Sequence, residues 1–143
     1  MFSKEESRQL RELFWTSFGK SFPRKWVLYD TKIKGFSFKF HFDTKSAFVT
    51  LDVEHDLENR IKHWEKLESL KSILRDDYLA DAIFEEEFLL ENGKEISRIY
   101  VPLNQKVSIH NKNTWQEVME FFNEKMDKFE SFFEDYADIL KDD

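Results

Sequence analysis

Phe36-Ser37-Phe38-Lys39-Phe40-His41-Phe42-Asp43-Thr44-Lys45-Ser46-Ala47-Phe48-Val49-Thr50-Leu51-Asp52-Val53 alternates apolar and polar residues on both sides of a short polar break. That period of two is the mark of a half-buried strand, so the segment predicts two strands joined by a tight turn. A two-residue loop at Thr44-Lys45 would oppose Phe42 with Ala47, Phe40 with Val49, Phe38 with Leu51 and Phe36 with Val53, all apolar. The other face would then set Lys39 against Thr50, Ser37 against Asp52 and His41 against Phe48. A slip of one residue would turn the whole apolar set away from the core, so this register is strongly specified. Thr-Lys is not a favoured turn pair, which leaves a longer loop open.

Downstream the period changes. Leu57, Ile61, Trp64, Leu67, Leu70 and Leu74 recur every three or four residues, predicting a second helix that ends near Arg75. Ile83–Leu90 and Glu95–Val101 flank Asn92-Gly93, a strong hairpin signal, with Glu91 facing Lys94, Glu87 facing Arg98 and Phe84 facing Val101. Upstream, Leu10, Leu13, Phe14 and Phe18 space out a first helix over Lys4–Phe18, with Ser3 and Glu6 as a capping box and Gly19 as its C-cap ahead of Pro23. The last segment carries one apolar stripe from Trp115 through Phe122, Phe129 and Phe133 to Leu140, capped by Asn113 or Thr114 with Glu117 in box spacing. The reading is an α+β domain in the order α-ββ-α-ββ-α. Its antiparallel sheet of two hairpins packs with three helices, above all the first and last, and Trp26–Tyr29 is a candidate fifth strand.

At 143 residues the chain matches one domain, taken over residues 1–143, and a chain of this size buries roughly 70 % of its unfolded surface. Sixteen phenylalanines and 17 % aromatic residues are the reverse of a disordered composition. The absence of cysteine excludes disulfides, thiolate nucleophiles, zinc-thiolate sites and cysteine-ligated iron–sulfur clusters, and fits a reducing, cytoplasmic setting. Short apolar runs and the charged start (Glu5, Glu6, Arg8, Arg11, Glu12) argue against a membrane span or a secretory signal.

The residues Lys4-Glu5-Glu6, Phe14-Trp15-Thr16-Ser17-Phe18-Gly19-Lys20, Trp26-Val27-Leu28-Tyr29, Lys34-Gly35-Phe36-Ser37-Phe38, Val107-Ser108-Ile109 and the start of the helix over residues 115–122 resemble a bacterial family catalogued as domain of unknown function 4268. The resemblance covers nearly the whole chain. It implies membership of a group found as small proteins or as the terminal domain of longer ones bearing a restriction-endonuclease-like domain. By that route it implies a link to DNA or to defence systems. It brings no catalytic residue and no cofactor.

The net charge of -7 is uneven. Lys20, Arg24, Lys25, Lys32, Lys34, Lys39 and Lys45 against Asp30 and Asp43 give residues 20–45 a balance of +5, so the remainder carries -12. Basic side chains interleaved with rings suit an anionic ligand, single-stranded nucleic acid included, and Arg24, Lys25, Trp26, Tyr29, Lys32 and Lys34 are the candidate ligand contacts. A structural role for the same segment is the competing reading. Asp30-Thr31-Lys32 and Asp43-Thr44-Lys45 have the acid-x-lysine form of metal-dependent nucleases, with Asp52, Glu54 and His55 nearby, which makes an enzyme of that kind an alternative. Among the four histidines, His55 and His63 lie eight positions apart, not the four that align two rings on a helix. With three glycines and no Gly-x-Ser-x-Gly turn or phosphate loop, serine-hydrolase and nucleotide-loop chemistry are unsupported. Phe121 and Phe132 lie off the main stripe of the last helix, surplus surface that either stays partly exposed or is covered by a second subunit. The expectation is a non-catalytic binding or protein-interaction domain without a cofactor, with an unknown protein partner or itself as homodimer.

Overall fold

A computed structural model describes residues 2–141. The elements run α1 (Lys4–Ser21), β1 (Phe36–Phe42), β2 (Ala47–Val53), α2 (Leu57–Ser69), α3 (Lys71–Asp77), β3 (Ile83–Leu89), β4 (Glu95–Pro102), a 3-10 turn (Lys112–Thr114), α4 (Trp115–Asp135) and α5 (Ala137–Lys141). The α-ββ-α-ββ-α plan therefore holds, with two of its helices each broken once. The strands form an antiparallel sheet ordered β1-β2-β4-β3, so the two hairpins join through their second strands.

The first hairpin has the register its alternation demands, from Phe36 opposite Val53 to Phe42 opposite Ala47. The second departs from the expected pairing. Gly93, at φ +87°, closes a loop of Glu91, Asn92 and Gly93 between Leu90 and Lys94, and the ladder shifts again between Glu85 and Phe88. Arg98 thus faces Glu85, Phe84 faces Ile99 and Leu89 faces Glu95, in place of the Glu87–Arg98, Phe84–Val101 and Glu91–Lys94 pairs. A left-handed glycine as third loop residue is the usual way to close a three-residue hairpin, and each inserted residue moves the register by one.

Helix ends also differ from expectation. The Ser3–Glu6 capping box forms, but α1 runs through Gly19 to Ser21 and ends against Pro23, whose ring disfavours helical backbone at Phe22 (φ -129°, ψ 73°). The Ser69 hydroxyl donates to the Lys66 carbonyl at 2.6 Å where α2 gives way to α3, a local bond that competes with the helical ladder. Thr114 makes no box with Glu117. Its hydroxyl turns back to the Ser108 and Asn111 carbonyls at 3.0 and 2.7 Å, and the 3-10 turn takes the place of a simple cap. At Tyr136 the last helix breaks, and α5 carries Leu140 into the core. Trp26–Tyr29 forms no strand. It passes the outer edge of β1 and supplies the Leu28 carbonyl to the Phe38 N–H at 2.9 Å, but positive φ at Leu28 (46°) and Lys32 (65°) prevents a ladder.

All the aromatic packing between helices and sheet falls on the face that carries Phe36, Phe38, Phe40 and Phe42. Phe14 of α1 meets Phe42 edge-on at 4.7 Å, Phe129 of α4 lies 5.8 Å from Phe38, and Trp64 of α2 lies 5.7 Å from Phe84. Phe121 and Phe132 are buried too, the latter completely, so the surplus surface of the last helix is covered within one chain.

Candidate functional site

Among the described residues, the opposite face of the sheet carries no helix. It presents Lys39 and His41 from β1, Phe48, Thr50 and Asp52 from β2, Arg98 and Tyr100 from β4, and Ile83 and Glu85 from β3. Arg98 is central. It grips Asp52 as a fork, Nε to Oδ1 at 2.8 Å and Nη2 to Oδ2 at 2.9 Å, and its guanidinium lies over the rings of Phe88 (4.4 Å) and Phe48 (5.6 Å). Asp52 is fully buried, and this planar partner meets both of its oxygens. Lys39 bridges Asp52 (3.3 Å) and Glu54 (2.8 Å), and Lys94 reaches Glu54 from the second hairpin at 3.3 Å. Burial pushes the Glu54 carboxyl up, but Lys39 and Lys94 outweigh it and hold the group below the usual carboxylate range. Burial likewise works against the Lys39 ammonium, and Glu54 and Asp52 together raise it above its ordinary value. Burial, helped by a hydrogen bond to Glu85, raises the Tyr100 phenol.

Further along β1 the His41 ring stacks on Phe48 at 4.3 Å and 12°, and its Nε2 lies 2.7 Å from Asp43 Oδ2. The Asp43 Oδ1 accepts the Lys45 and Ser46 backbone N–H groups at 2.8 and 2.7 Å. Burial opposes ionisation of Asp43, yet His41 and these two donors lower its pKa. Beyond the ladder shift in β3, residues Phe88–Asn92 stand across from Lys39, His41, Asp43 and Phe48, enclosing a groove of about 560 Å³ floored by Thr50 and Arg98. Ile96, completely buried but outside the main core, pairs with Phe88 at this end of the sheet. The Thr50 hydroxyl beneath the groove has no hydrogen-bond partner among the described residues. Leu89, whose partner Glu95 meets Arg60 of α2 on the helical side, is 69 % exposed.

The candidates from the basic segment are dispersed. Arg24 lies over the Trp26 ring at 4.3 Å and pairs with Asp127 and with buried Glu130, which also accepts the Val27 N–H at 2.6 Å. Trp26 is half-buried against Phe18 and Phe40. Arg24 thereby pins the loop to α4, and Trp26 pins it to α1 and β1. Lys32 pairs with Asp30 at 2.7 Å on the surface, while Lys25, Tyr29 and Lys34 are exposed. Thr31, the middle of the first acid-x-lysine triplet, is a buried brace that donates to the Phe36 carbonyl at 3.0 Å. The carboxylates weighed for a metal are each engaged by cations or backbone donors, and among the described residues no three His, Asp or Glu side chains gather as metal ligands. The rings of His55 and His63 come within 5.9 Å of one another.

Comparison with known families matches residues 10–137 to the model described as Domain of unknown function (DUF4268). The chain belongs to the DUF4268 family. No curated protein and no solved structure matches it. No helix of this DUF4268 domain is long and apolar enough to cross a membrane among the residues described.

Two features of the DUF4268 chain were out of reach of sequence reasoning. The Asp52–Arg98 fork needs β2 beside β4, a contact between hairpins for which the only hint is an opposite pair of charges inside two otherwise strand-like runs. The Ser7 hydroxyl lies 2.9 Å from His110 Nε2, tying α1 to the loop before α4 across more than a hundred residues. No local pattern signals that tie.

Proposed function

We propose that this DUF4268 chain is a non-catalytic protein-interaction domain whose binding surface is the groove on the helix-free face of the sheet. One observation carries the reading: the helical face spends its aromatic residues on the core, whereas this face keeps an open concavity walled by Phe48 and Phe88 over a charge network in which Asp52 and Glu54 each meet two of the cations Arg98, Lys39 and Lys94. Its volume falls within the range of about 300–1,000 Å³ common for binding sites. The floor's ionisable groups are locked in pairs, which suits a rigid platform rather than proton transfer.

Photocrosslinking in the native cell tests it, with the probe placed at Glu91, which is exposed on the groove's edge, or at Ile139, which is 48 % exposed on α5. Defined protein adducts from position 91 that are absent from position 139 are the expected result. Equal adducts from both positions, or none from Glu91, would overturn the assignment. Binding of oligonucleotides at low salt, abolished by changes at Lys25 and Lys34, would favour the basic segment instead.

A further inference from the structure

On the helical side of the sheet, away from the groove, we propose that the outer edge of β3 pairs with an extended segment of another protein. The segment's branched apolar side chains lie on a step formed by Leu57, Ile61 and Leu89, and its lysine or arginine side chains face Glu86 and Glu87. The sheet ends at β3, and among the described residues no backbone hydrogen bond reaches Ile83–Leu89 from outside the sheet. The other outer strand, β1, is instead shielded where the Leu28 carbonyl accepts the Phe38 N–H. An open edge is a template for a further strand. The step beside it is built by α2. His63 faces β1, its ring 4.9 Å from Phe36, and Trp64 faces β3, 5.7 Å from Phe84. At about 3.6 residues per turn, Leu57 and Ile61 follow Trp64 round the helix on the side away from His63, and so overhang the β3 edge. Arg60, between them, donates to the Glu95 carbonyl at 2.8 Å, and Glu95 pairs with Leu89. Leu57, Ile61 and Leu89 are 61 %, 41 % and 69 % exposed, so apolar surface gathers at this end of the edge. Charge then selects the occupant. Glu86 and Glu87 are exposed on β3, and Glu58 and Glu65 on α2. The nearby cations are committed or lie at the far end: Arg60 holds Glu95, and Lys71 and Arg75 lie over the Phe84 ring. A second copy of the chain is a poor occupant, because Glu85, Glu86 and Glu87 fill the middle of β3 and a two-fold antiparallel pair would set them against one another. A basic strand meets opposite charge instead, which selects it over an acidic one.

Peptides selected from a random library against the full chain test this, through their affinities for Ile61→Asp and Glu87→Lys and through amide hydrogen exchange of the complex. Both positions are exposed, and circular dichroism checks that each variant folds. The exchange measurement uses the parent chain, so it stands whether or not a variant folds. Selected peptides should alternate apolar residues with Lys or Arg and slow exchange along Ile83–Leu89. Their binding should weaken about tenfold on Ile61→Asp, through lost apolar burial, and about fivefold on Glu87→Lys, the scale of one exposed charge pair. Acidic peptides, unchanged exchange along β3, indifference to either substitution, or no peptide selected at all would overturn the proposal. Protection confined to Phe48, Thr50 and Arg98 would overturn it too, while supporting the groove as the binding surface. A dimer of the chain dissolved by Ile61→Asp would put a second copy in the partner's place and equally overturn it.

Discussion

Arg98 and Asp52 show how one contact can fix the character of a face. A fully buried carboxylate is tolerated because a guanidinium fork meets both its oxygens and Lys39 adds a second cation. Removing one partner leaves an uncompensated buried charge, so Arg98→Met should destabilise the fold by about 3–5 kcal/mol in urea titration. Replacing both together, as Asp52→Leu with Arg98→Met, should restore most of that loss, since the desolvation cost disappears with the charges. Glu54 and Lys39 set the pH limits. Glu54 lies below its ordinary 4.5, so its contribution is complete above pH 4.5 and lost as pH falls through the depressed folded value. Lys39 lies above its ordinary 10.5, so its contribution is complete below pH 10.5 and lost as pH rises through the raised folded value. Glu130 runs the other way, because burial, the largest influence, raises its pKa: stability from it is complete below 4.5 and declines as pH rises through the folded value. Glu54→Gln should therefore lessen the fall in urea midpoint between about pH 6 and about pH 3. A fall as steep as in the parent would show that Glu54 does not shape the acid limit.

The glycines report on elements. Gly35, at φ +84°, would place an added Cβ 2.9 Å from the Glu54 carbonyl oxygen and 3.1 Å from the His55 ring, so Gly35→Ala meets both strain and backbone. Gly93, at φ +87°, has open space around it, so Gly93→Ala should cost only the left-handed penalty of about 1–2 kcal/mol. Gly35→Ala should cost more than Gly93→Ala by thermal or urea unfolding. Gly19 has nothing within 4 Å and lies inside α1, so Gly19→Ala should stabilise the protein by about 0.5–1 kcal/mol. A loss of stability there would mean that Gly19 serves as a helix end after all. Strands and the α1 cap were legible from Phe36–Val53 and from Ser3 and Glu6, because alternation and capping act over a few residues. The breaks at Leu70 and Tyr136 were not, because apolar spacing continues across both while the neighbouring elements decide where the backbone must turn.

Across the whole molecule the helices cover one sheet face and leave the other to Arg98, Phe48 and the groove. Because Phe121 and Phe132 are buried within the chain, α4 has no apolar stripe left to cover. Sedimentation at micromolar concentration should accordingly give a monomer, and a dimer abolished by a charge at Phe121 would contradict that. Of the basic residues that stood out in the segment 20–45, Arg24 and Lys32 prove to be matched by Asp127, Glu130 and Asp30, carboxylates that include two a hundred positions away in α4. Charge counted along a chain cannot reveal such pairing. The sequence by itself determined the α+β class, the first hairpin with its register, the capping box and the apolar faces, because each is written in periods of two or in spacings of three and four. Only the tertiary structure decided that β2 lies beside β4, that the second hairpin slips its register to carry Phe88 over Arg98, and that one face stays free of helices among the described residues. Those outcomes follow from packing between segments distant in the chain, where the energy of burying the core chooses among partners that local pattern leaves equal.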